Sequence, residues 1–425
     1  MNVLVIGAAV SGGAAAHLAR DRGHSVAVYD HSDEAAAGLR SKGFTVGSGA
    51  WDRAQLYGVD VVVTSPGVPE HAPPLLDAAD ANIDVWSELE FGARHLEAPV
   101  VAVTGTNGKT TVTAMTTSML RESSVDAVAA GNIGTPVSSI VDGDYEVVVI
   151  EASSFQLRYI DTFHPKVAAI LNVAPDHLDW HGTVAAYAAA KARIFENMNG
   201  ADRLAYDVDD EGSVALAARA DATTIPVSAS TVPPGGVGVS GSELVVGGHR
   251  YLLPTDDPSY VGDLAFSAVL ATEAGADAES IRRSIAGFTP GPHRRRLVGT
   301  IGGVMFVDDS KATNPHATRA AAASYERVVL IAGGRNKGLD LSDMVGPTVR
   351  HLVAYGEAGP EVAATSDIPM TIVAGFDAAV EAARRVAVPG DVVLLAPGCA
   401  SFDQFSGYGE RGDRFAALVL DGVSK

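Results

Sequence analysis

Residues 100–111 read Val100-Val101-Ala102-Val103-Thr104-Gly105-Thr106-Asn107-Gly108-Lys109-Thr110-Thr111. The apolar start predicts a buried strand of a parallel sheet. Gly105 and Gly108 let the chain turn tightly, and Lys109 and Thr110 open a helical pattern that continues through Met115, Met119 and Leu120. Strand, glycine loop and helix start, in that order, make an anion cradle. The first N–H groups of a helix have no partner inside it, and with the positive helix end they point at phosphate. Lys109 adds charge for the outer phosphates of a nucleotide, and Thr110 offers a hydroxyl to Mg²⁺. The usual phosphate loop has one more glycine where Val103 stands, so this is a G-T-N-G-K-T variant.

The segments after the loop alternate apolar runs with helical patterns, which predicts a parallel α/β sheet. Val147–Ile150 is such a run and delivers Glu151, followed by Ser153 and Gln156. Val167–Leu171 is another, followed by Asn172, Asp176, His177 and Asp179. Ligands of open α/β sheets gather outside the strands' carboxyl ends, so Lys109, Thr110, Glu151 and His177 are expected in one crevice. Glu151 and His177 suit Mg²⁺ directly or through water; individually they also suit a helix start and a surface loop. Residues 187–198 read as a helix. Lys191 stands among alanines on it, which by itself reads as a solvated face.

Upstream, residues 2–6 form an apolar run, then comes Gly7-Ala8-Ala9-Val10-Ser11-Gly12-Gly13, a helical 14–22 and a second run, Ser25–Tyr29, ending at Asp30. This is a Rossmann-like opening with Ala9 in place of the second glycine. It fits a diphosphate or nucleotide-sugar site at least as well as a nicotinamide dinucleotide. Leu96–Pro99 and Gly287–Pro292 read as linkers, and residues 264–274 as a helix. After the second linker, Arg294-Arg295-Arg296 makes a positive island suited to phosphate or carboxylate. Three further apolar runs end at Asp308-Asp309-Ser310-Lys311, at Gly333-Gly334-Arg335-Asn336-Lys337 and at Pro397-Gly398-Cys399-Ala400-Ser401-Phe402.

The 425 residues suggest two to four domains, and the 47% hydrophobic content suffices for large cores. One cysteine excludes a disulfide framework and a thiolate cluster, and fits a reducing compartment. The formal charge of −20 argues against non-specific nucleic-acid binding. No apolar run is long enough to span a membrane. A cytoplasmic protein with no nucleic-acid partner and no stable membrane insertion is expected.

With these residues assembled, the chain resembles a Mur ligase along essentially its whole length. The T-G-T-N-G-K-T loop is shared with the folylpolyglutamate synthetases. Glu151-Ala-Ser-Ser-Phe-Gln156, Asn172-Val-Ala-Pro-Asp-His177-Leu-Asp179 and Lys191-Ala-Arg-Ile-Phe-Glu-Asn197 narrow the resemblance. Asp309-Ser-Lys-Ala-Thr-Asn314 and Ala400-Ser-Phe-Asp-Gln-Phe405 with Glu410-Arg-Gly412 point to the D-glutamate-adding members. The Asp-Asn-Pro-Arg signature of the diaminopimelate- and lysine-adding members is absent.

The resemblance implies an α/β fold of three domains: a Rossmann-like N-terminal domain (1–95) for a UDP substrate, a central P-loop ATPase-like parallel-sheet domain (96–291) for ATP, and a Rossmann-like C-terminal domain (292–425) for the amino acid. It implies an amide ligase that uses ATP and Mg²⁺ to join D-glutamate to UDP-N-acetylmuramoyl-L-alanine through an acyl phosphate, in peptidoglycan precursor synthesis, acting as a monomer. A related ligase taking another amino acid is the neighbouring reading; a nicotinamide-dependent oxidoreductase leaves the phosphate loop unexplained.

The resemblance also assigns residues. Gly105, Thr106, Asn107, Gly108, Lys109, Thr110, Thr111, Arg294 and Asp309 would bind ATP. Val10, Ser11, Gly12, Asp30, His31, Ser65, Gly67, Asn132, Ser153 and Gln156 would bind the UDP substrate. Lys311, Thr313, Lys337, Ser401, Phe402 and Tyr408 would surround D-glutamate. Thr110 and Glu151 would serve one metal, His177 and Lys191 another, with Lys191 carbamylated into an anionic ligand. Lys109, Glu151, His177, Lys191 and Lys311 would carry the chemistry. The family's usual His-Asn-x-x-Asn pattern near residue 262 is replaced by Val261-Gly-Asp-Leu-Ala265, which leaves the adenine contacts of that motif unassigned.

Overall fold

The computed structural model describes residues 1–421; the C-terminal expectation runs to 425, and residues 422–425 lie outside the described residues. The chain forms two compact units, one of Met1–Val173 with Ala185–Phe288, the other of Ala174–Val184 with the chain from Thr289 onward. Both are α/β.

The first unit holds two parallel sheets. In one, strands Asn2–Ile6, Ser25–Asp30, Thr45–Ser48, Val61–Thr64 and Asp84–Ser87 lie in the spatial order third, second, first, fourth, fifth. The chain works outward from Asn2–Ile6 on one side and then crosses to the other, so the switch point sits at the end of that strand. In the other sheet, Val100–Thr104 lies between Val167–Ile170 and Val147–Glu151. Ala127–Gly131 closes one edge, and Arg203–Asp207 with Thr223–Val227 the other. Val100 to Thr104 are buried throughout, the mark of a strand covered on both faces. A small antiparallel sheet, Gly238–Ser240, Glu243–Val246 and His249–Leu252, packs into the same core.

Helix bounds depart from the sequence reading where caps decide them. The first helix is Val10–Asp21, four residues earlier than expected, so Gly12 and Gly13 belong to its first turns rather than to the loop. The helix expected at 264–274 spans Pro258–Glu273. Asp257 caps it by accepting the Ser259 N–H at 3.0 Å, and Pro258 takes the first position, where a missing N–H costs nothing. The helix expected at 187–198 is Val184–Ala192, followed by a tighter turn, Arg193–Phe195.

Helix Glu88–Ala93 ties the two sheets of this unit together. Glu90 is fully buried and accepts from the N–H groups of Asp161, Thr162 and Phe163 and from the Thr162 hydroxyl, at 2.7–3.0 Å, with Arg94 at 2.7 Å. Two residues away, Glu88 is equally buried but takes the Ser138 N–H at 2.6 Å on one oxygen only; its Oε2 has no hydrogen-bond partner.

The second unit is built on one six-stranded sheet. Its spatial order is Arg296–Ile301, Val304–Asp308, Val392–Gly398, Val328–Gly333, Val349–Tyr355, Met370–Val373, parallel except for the first hairpin pair. Segment 174–184 packs with this unit. Among the described residues no helix is long and apolar enough to cross a membrane.

Candidate active site

The glycine loop is held open by its neighbour strand. Asn172, just past Val167–Ile170, accepts the N–H groups of Thr106 and Asn107 on its Oδ1 at 3.1 and 2.8 Å, and its amide donates to the Asn107 carbonyl. Gly108 has φ +87°, and a Cβ there would meet an Asp263 carboxylate oxygen at 2.5 Å, so only glycine fits. Helix Lys109–Glu122 follows with no side-chain cap at its start, which leaves the N-terminal N–H groups facing the loop. Lys109 folds back over it, its Nζ donating to the carbonyls of Gly105 and Thr106 at 2.7 and 3.0 Å.

Lys191 meets the same place. It is 1% exposed and its Nζ donates to the Gly105 carbonyl at 2.7 Å. The solvated-face reading is thereby corrected. Tyr187, four residues earlier on the same helix face, places its ring 4.4 Å from that ammonium and its hydroxyl 3.1 Å from the Thr106 Oγ. Two cationic side chains thus touch one carbonyl oxygen at the base of the loop. That concentrates positive charge where phosphate would lie, and it sets the two ammonium groups against each other.

Glu151 ends the strand beside the loop, in register with Val103. Its Oε1 accepts from the Asn132 amide at 2.7 Å, while its Oε2 and the Thr111 hydroxyl are buried without a partner. A buried carboxylate with an orphan oxygen next to a phosphate loop fits a bound cation. Mg²⁺ needs few protein ligands, because substrate phosphates and water complete its shell. Among the described residues no three His, Cys, Asp or Glu side chains converge as a metal site of their own. Of the four expected metal residues, Thr110, Glu151 and Lys191 lie in the first unit and His177 in the second.

A cavity of about 860 Å³ opens at the switch point of the N-terminal sheet. Val10, Ser11, Asp30, His31, Ser65, Gly67, Asn132 and Gln156, all expected at the UDP substrate, line it. Gly12 and Ser153 support it instead. A Cβ on Gly12 would stand 1.8 Å from the Gly7 carbonyl oxygen. Ser153 caps the short helix Ser154–Leu157 and donates to Gln156 Oε1 at 3.0 Å, which fixes Gln156. Asp30 accepts the N–H groups of Ala8 and Ser32 at 2.7 and 2.9 Å, so its carboxylate shapes the glycine turn. The first helix starts at Ala9 without a side-chain cap, and the Ser65 Oγ is buried without a partner. Both are donors suited to a diphosphate.

In the second unit, the ends of three adjacent strands bring Lys311, Ser401 and Lys337 to one sheet edge. Lys311 Nζ lies 5.1 Å from the Tyr408 ring centroid. Lys337 donates to Asp176 Oδ1, and Asp176 Oδ2 accepts from Asn314 at 3.2 Å. Burial alone would raise the Asp176 carboxyl, but Lys337 and His177 beside it hold it below the usual range. His177 has φ +51°, and its N–H donates to the Asp176 carboxylate. Ser401 is buried; Phe402 and Tyr408 are exposed, and Thr313 is half-buried. Arg294 and Arg295 flank Asp309, whose carboxyl burial pushes up to about 7. The arginine island does not act as a block: Arg295 turns to Ser324 and Arg296 enters the edge strand.

Sequence reasoning undervalued Asp176, Asn172, Tyr187 and Arg411. Arg411 is fully buried and donates to the Ser310 hydroxyl and carbonyl and to the Cys399 carbonyl, pinning two strand-end loops. The signal for Tyr187 was its four-residue spacing from Lys191; for Asp176 it was adjacency to His177.

Residues 1–87 match the Mur ligase MurD-like N-terminal domain, 103–232 the Mur ligase middle domain and 293–399 the Mur ligase glutamate ligase domain. A UDP-N-acetylmuramoylalanine--D-glutamate ligase of Frankia casuarinae is 43% identical, covering 98% of this chain and 93% of that protein. The proteins of the same name from Pelotomaculum thermopropionicum and Mycolicibacterium smegmatis are 38% and 36% identical, covering 98% and 99% of this chain and 97% of each relative. Among solved structures, MurF from Acinetobacter baumannii aligns with TM-score 0.66 at 17% identity, covering 100% of this chain and 93% of that one. A pseudomurein peptide ligase type C from Methanothermus fervidus aligns with TM-score 0.65 at 15% identity, covering 99% of both. The chain belongs to the Mur ligase family.

Proposed function

We propose that this chain is an ATP-dependent ligase that joins D-glutamate to UDP-N-acetylmuramoyl-L-alanine, a cytoplasmic step of peptidoglycan precursor synthesis, and that it acts as a monomer. The observation that carries the reading is the glycine loop with Lys109, Lys191 and Glu151 gathered on it, in a chain whose full-length relatives bear that enzyme's name. We assign the UDP substrate to 1–95, ATP to 96–291 and D-glutamate to 292–425.

A carboxylate is a poor acyl donor. Its oxygen attacks the γ-phosphorus of ATP, ADP leaves, and an acyl phosphate forms. The amine of D-glutamate then adds to the acyl carbon, and phosphate leaves as the amide forms. Phosphoryl transfer demands positioning and charge neutralisation more than covalent help. Lys109 and the helix N-terminus supply that at the loop, and Arg294 is assigned to the same phosphate. Mg²⁺, held by Thr110 and Glu151, would neutralise phosphate charge. Lys191, as a carbamate, would add an anionic oxygen and relieve the repulsion between its ammonium and that of Lys109; His177 is assigned as a further ligand. Lys311 steadies the reacting carboxyl. Lys337, Thr313, Ser401, Phe402 and Tyr408 are assigned to D-glutamate.

The test is phosphate release from ATP and Mg²⁺ with UDP-N-acetylmuramoyl-L-alanine and each of a panel of amino acids. Turnover should require the UDP substrate and D-glutamate together. Comparable turnover with another amino acid would reject the assignment.

A further inference from the structure

The loop that carries Asn132 is exposed at its tip and buried at its base. Asn132, Gly134 and Thr135 are exposed, while Pro136, Val137 and Ser138 are buried. An exposed tip packs against little, so what holds its two ends decides where it lies. One end is fixed on strand Val147–Glu151. The Asn132 N–H donates to the Glu151 carbonyl at 2.8 Å, and its side-chain amide donates to Glu151 Oε1 at 2.7 Å. Gly131 has φ +94°, and a Cβ there would stand 2.3 Å from the same carbonyl oxygen, so only glycine fits. The other end is fixed on helix Glu88–Ala93. Glu88 accepts the Ser138 N–H at 2.6 Å. One turn further along that helix, a Cβ on Gly92 would stand 2.7 Å from the Ser138 nitrogen and 2.9 Å from the Val137 carbonyl carbon. Helix and loop base therefore meet backbone to backbone, and the buried Ser138 N–H has Glu88 as its acceptor.

We infer, resting on the function proposed above, that Glu88 is a positioning residue for Asn132. Glu88 does not line the cavity. It holds the base of the loop, and the base aims the exposed residues before it. Asn132 serves two places at once, because it lines the cavity and bonds Glu151 beside the phosphate loop. Slack at Ser138 lets it swing away from both. A side chain already in place spares a ligand the cost of ordering it. Glu90 provides the internal comparison. It ties the same helix to the N–H groups of Asp161, Thr162 and Phe163, which carry none of the assigned site residues. The helix therefore stays seated on the central sheet when the Glu88 contact is removed.

The test combines amide hydrogen exchange on the ligand-free full chain with a double-mutant cycle. Glu88→Met fills the same space without a carboxylate. It should speed exchange of the Ser138 and Asn132 N–H groups about tenfold relative to those of Thr162 and Phe163, the order for one lost buried hydrogen bond. It should also lower kcat/KM for UDP-N-acetylmuramoyl-L-alanine about tenfold. Asn132→Ala removes the side chain that the loop presents, so in that background Glu88→Met should cost less than about threefold. A residue that serves stability alone would cost the same factor in both backgrounds. Gly92→Ala keeps Glu88 but pushes on the same loop base, and should reproduce both effects. Glu88→Gln keeps an oxygen for the Ser138 N–H and loses no partner at Oε2, so it should restore both to within about twofold of wild type. Equal factors in the two backgrounds, or Ser138 and Asn132 N–H groups that exchange no faster in Glu88→Met and Gly92→Ala, overturn the positioning role. A wild-type chain with no turnover on the UDP substrate overturns the proposed function, and the exchange rates then decide the placement of the loop by themselves.

Discussion

Glu88 and Glu90 lie two residues apart on one short helix and are both buried, yet their environments drive their acidities in opposite directions. Around Glu90, burial favours the neutral acid. The N–H groups of Asp161 and Thr162, the Thr162 hydroxyl and Arg94 outweigh it and hold the carboxyl below its usual range. Around Glu88, burial wins over the Ser138 N–H, and the carboxyl is pushed from 4.5 to about 7. The folded chain therefore holds a proton on Glu88 that the unfolded chain has released. The stabilisation is complete below pH 4.5, falls as pH rises, and is gone above about 7. At about 1.4 kcal/mol per pH unit, it amounts to roughly 3 kcal/mol, with roughly 2.5 kcal/mol lost between pH 5 and pH 8. Glu88→Gln is the matching perturbation, because it keeps an acceptor for Ser138 and cannot ionise. Its fixed cost or benefit is independent of pH, so the informative quantity is the stability gap between variant and wild type. That gap should move toward the variant by roughly 2.5 kcal/mol between pH 5 and pH 8. Trp86 lies two residues before this helix and stacks under Arg94. Its emission during urea unfolding, in a background lacking the other two tryptophans, reports on the junction itself. A gap that stays constant from pH 5 to pH 8 refutes the reasoning, and Glu88 would then be ionised in the folded chain.

Two further outcomes follow from the site. Lys191→Ala should reduce ligase turnover by at least about a hundredfold, with partial recovery on adding a short carboxylate such as formate; an undisturbed variant would remove the carbamate from the mechanism. Lys337→Ala should raise the KM for D-glutamate about tenfold or more, the order expected for one lost charge-assisted bond, and leave the KM for ATP within about twofold. The reverse pattern would mean that the sheet edge carrying Lys311, Ser401 and Lys337 serves the nucleotide.

Much of the fold was legible because parallel sheets write themselves as unbroken apolar runs. Val100–Thr104, Val147–Glu151 and Val392–Gly398 were visible in that way, and each carries its polar groups at the carboxyl end. The loop was legible because a phosphate cradle demands glycine at fixed places. Lys191 was not, because neither periodicity nor composition distinguishes a lysine facing water from one facing a carbonyl oxygen 86 residues away in sequence. Its burial depends on Tyr187 and the Gly105 carbonyl, which only the folded sheet brings together. The grouping of segment 174–184 with the C-terminal sheet was hidden for the same reason. The Asp176–Lys337 pair spans 161 residues, and nothing local in either segment announces it.

The chain's charge sharpens what the loop must do. A protein of formal charge −20 repels anions at long range, while the substrates proposed here bring a triphosphate, a diphosphate and carboxylates. General basicity is therefore not available to hold them, and attraction has to be built at short range, where water is excluded and the dielectric is lower. The structure shows two kinds of device for this. One is the uncapped helix start, at Ala9 and again at Gly108, whose N–H groups and dipole cost no net charge. The other is the sheltered cation, with buried Lys191 and half-buried Lys109 on one carbonyl and half-buried Lys337 on Asp176. Each such ammonium is held by oxygens that an anion of the substrate can join or replace. Salt should then separate the two contributions. Screening weakens the long-range repulsion and leaves the buried contacts nearly untouched, so moderate salt should speed association with the UDP substrate rather than slow it. A rate that falls with salt, as for a protein with a basic binding face, would show that surface arginines do the capturing and that these three lysines do not.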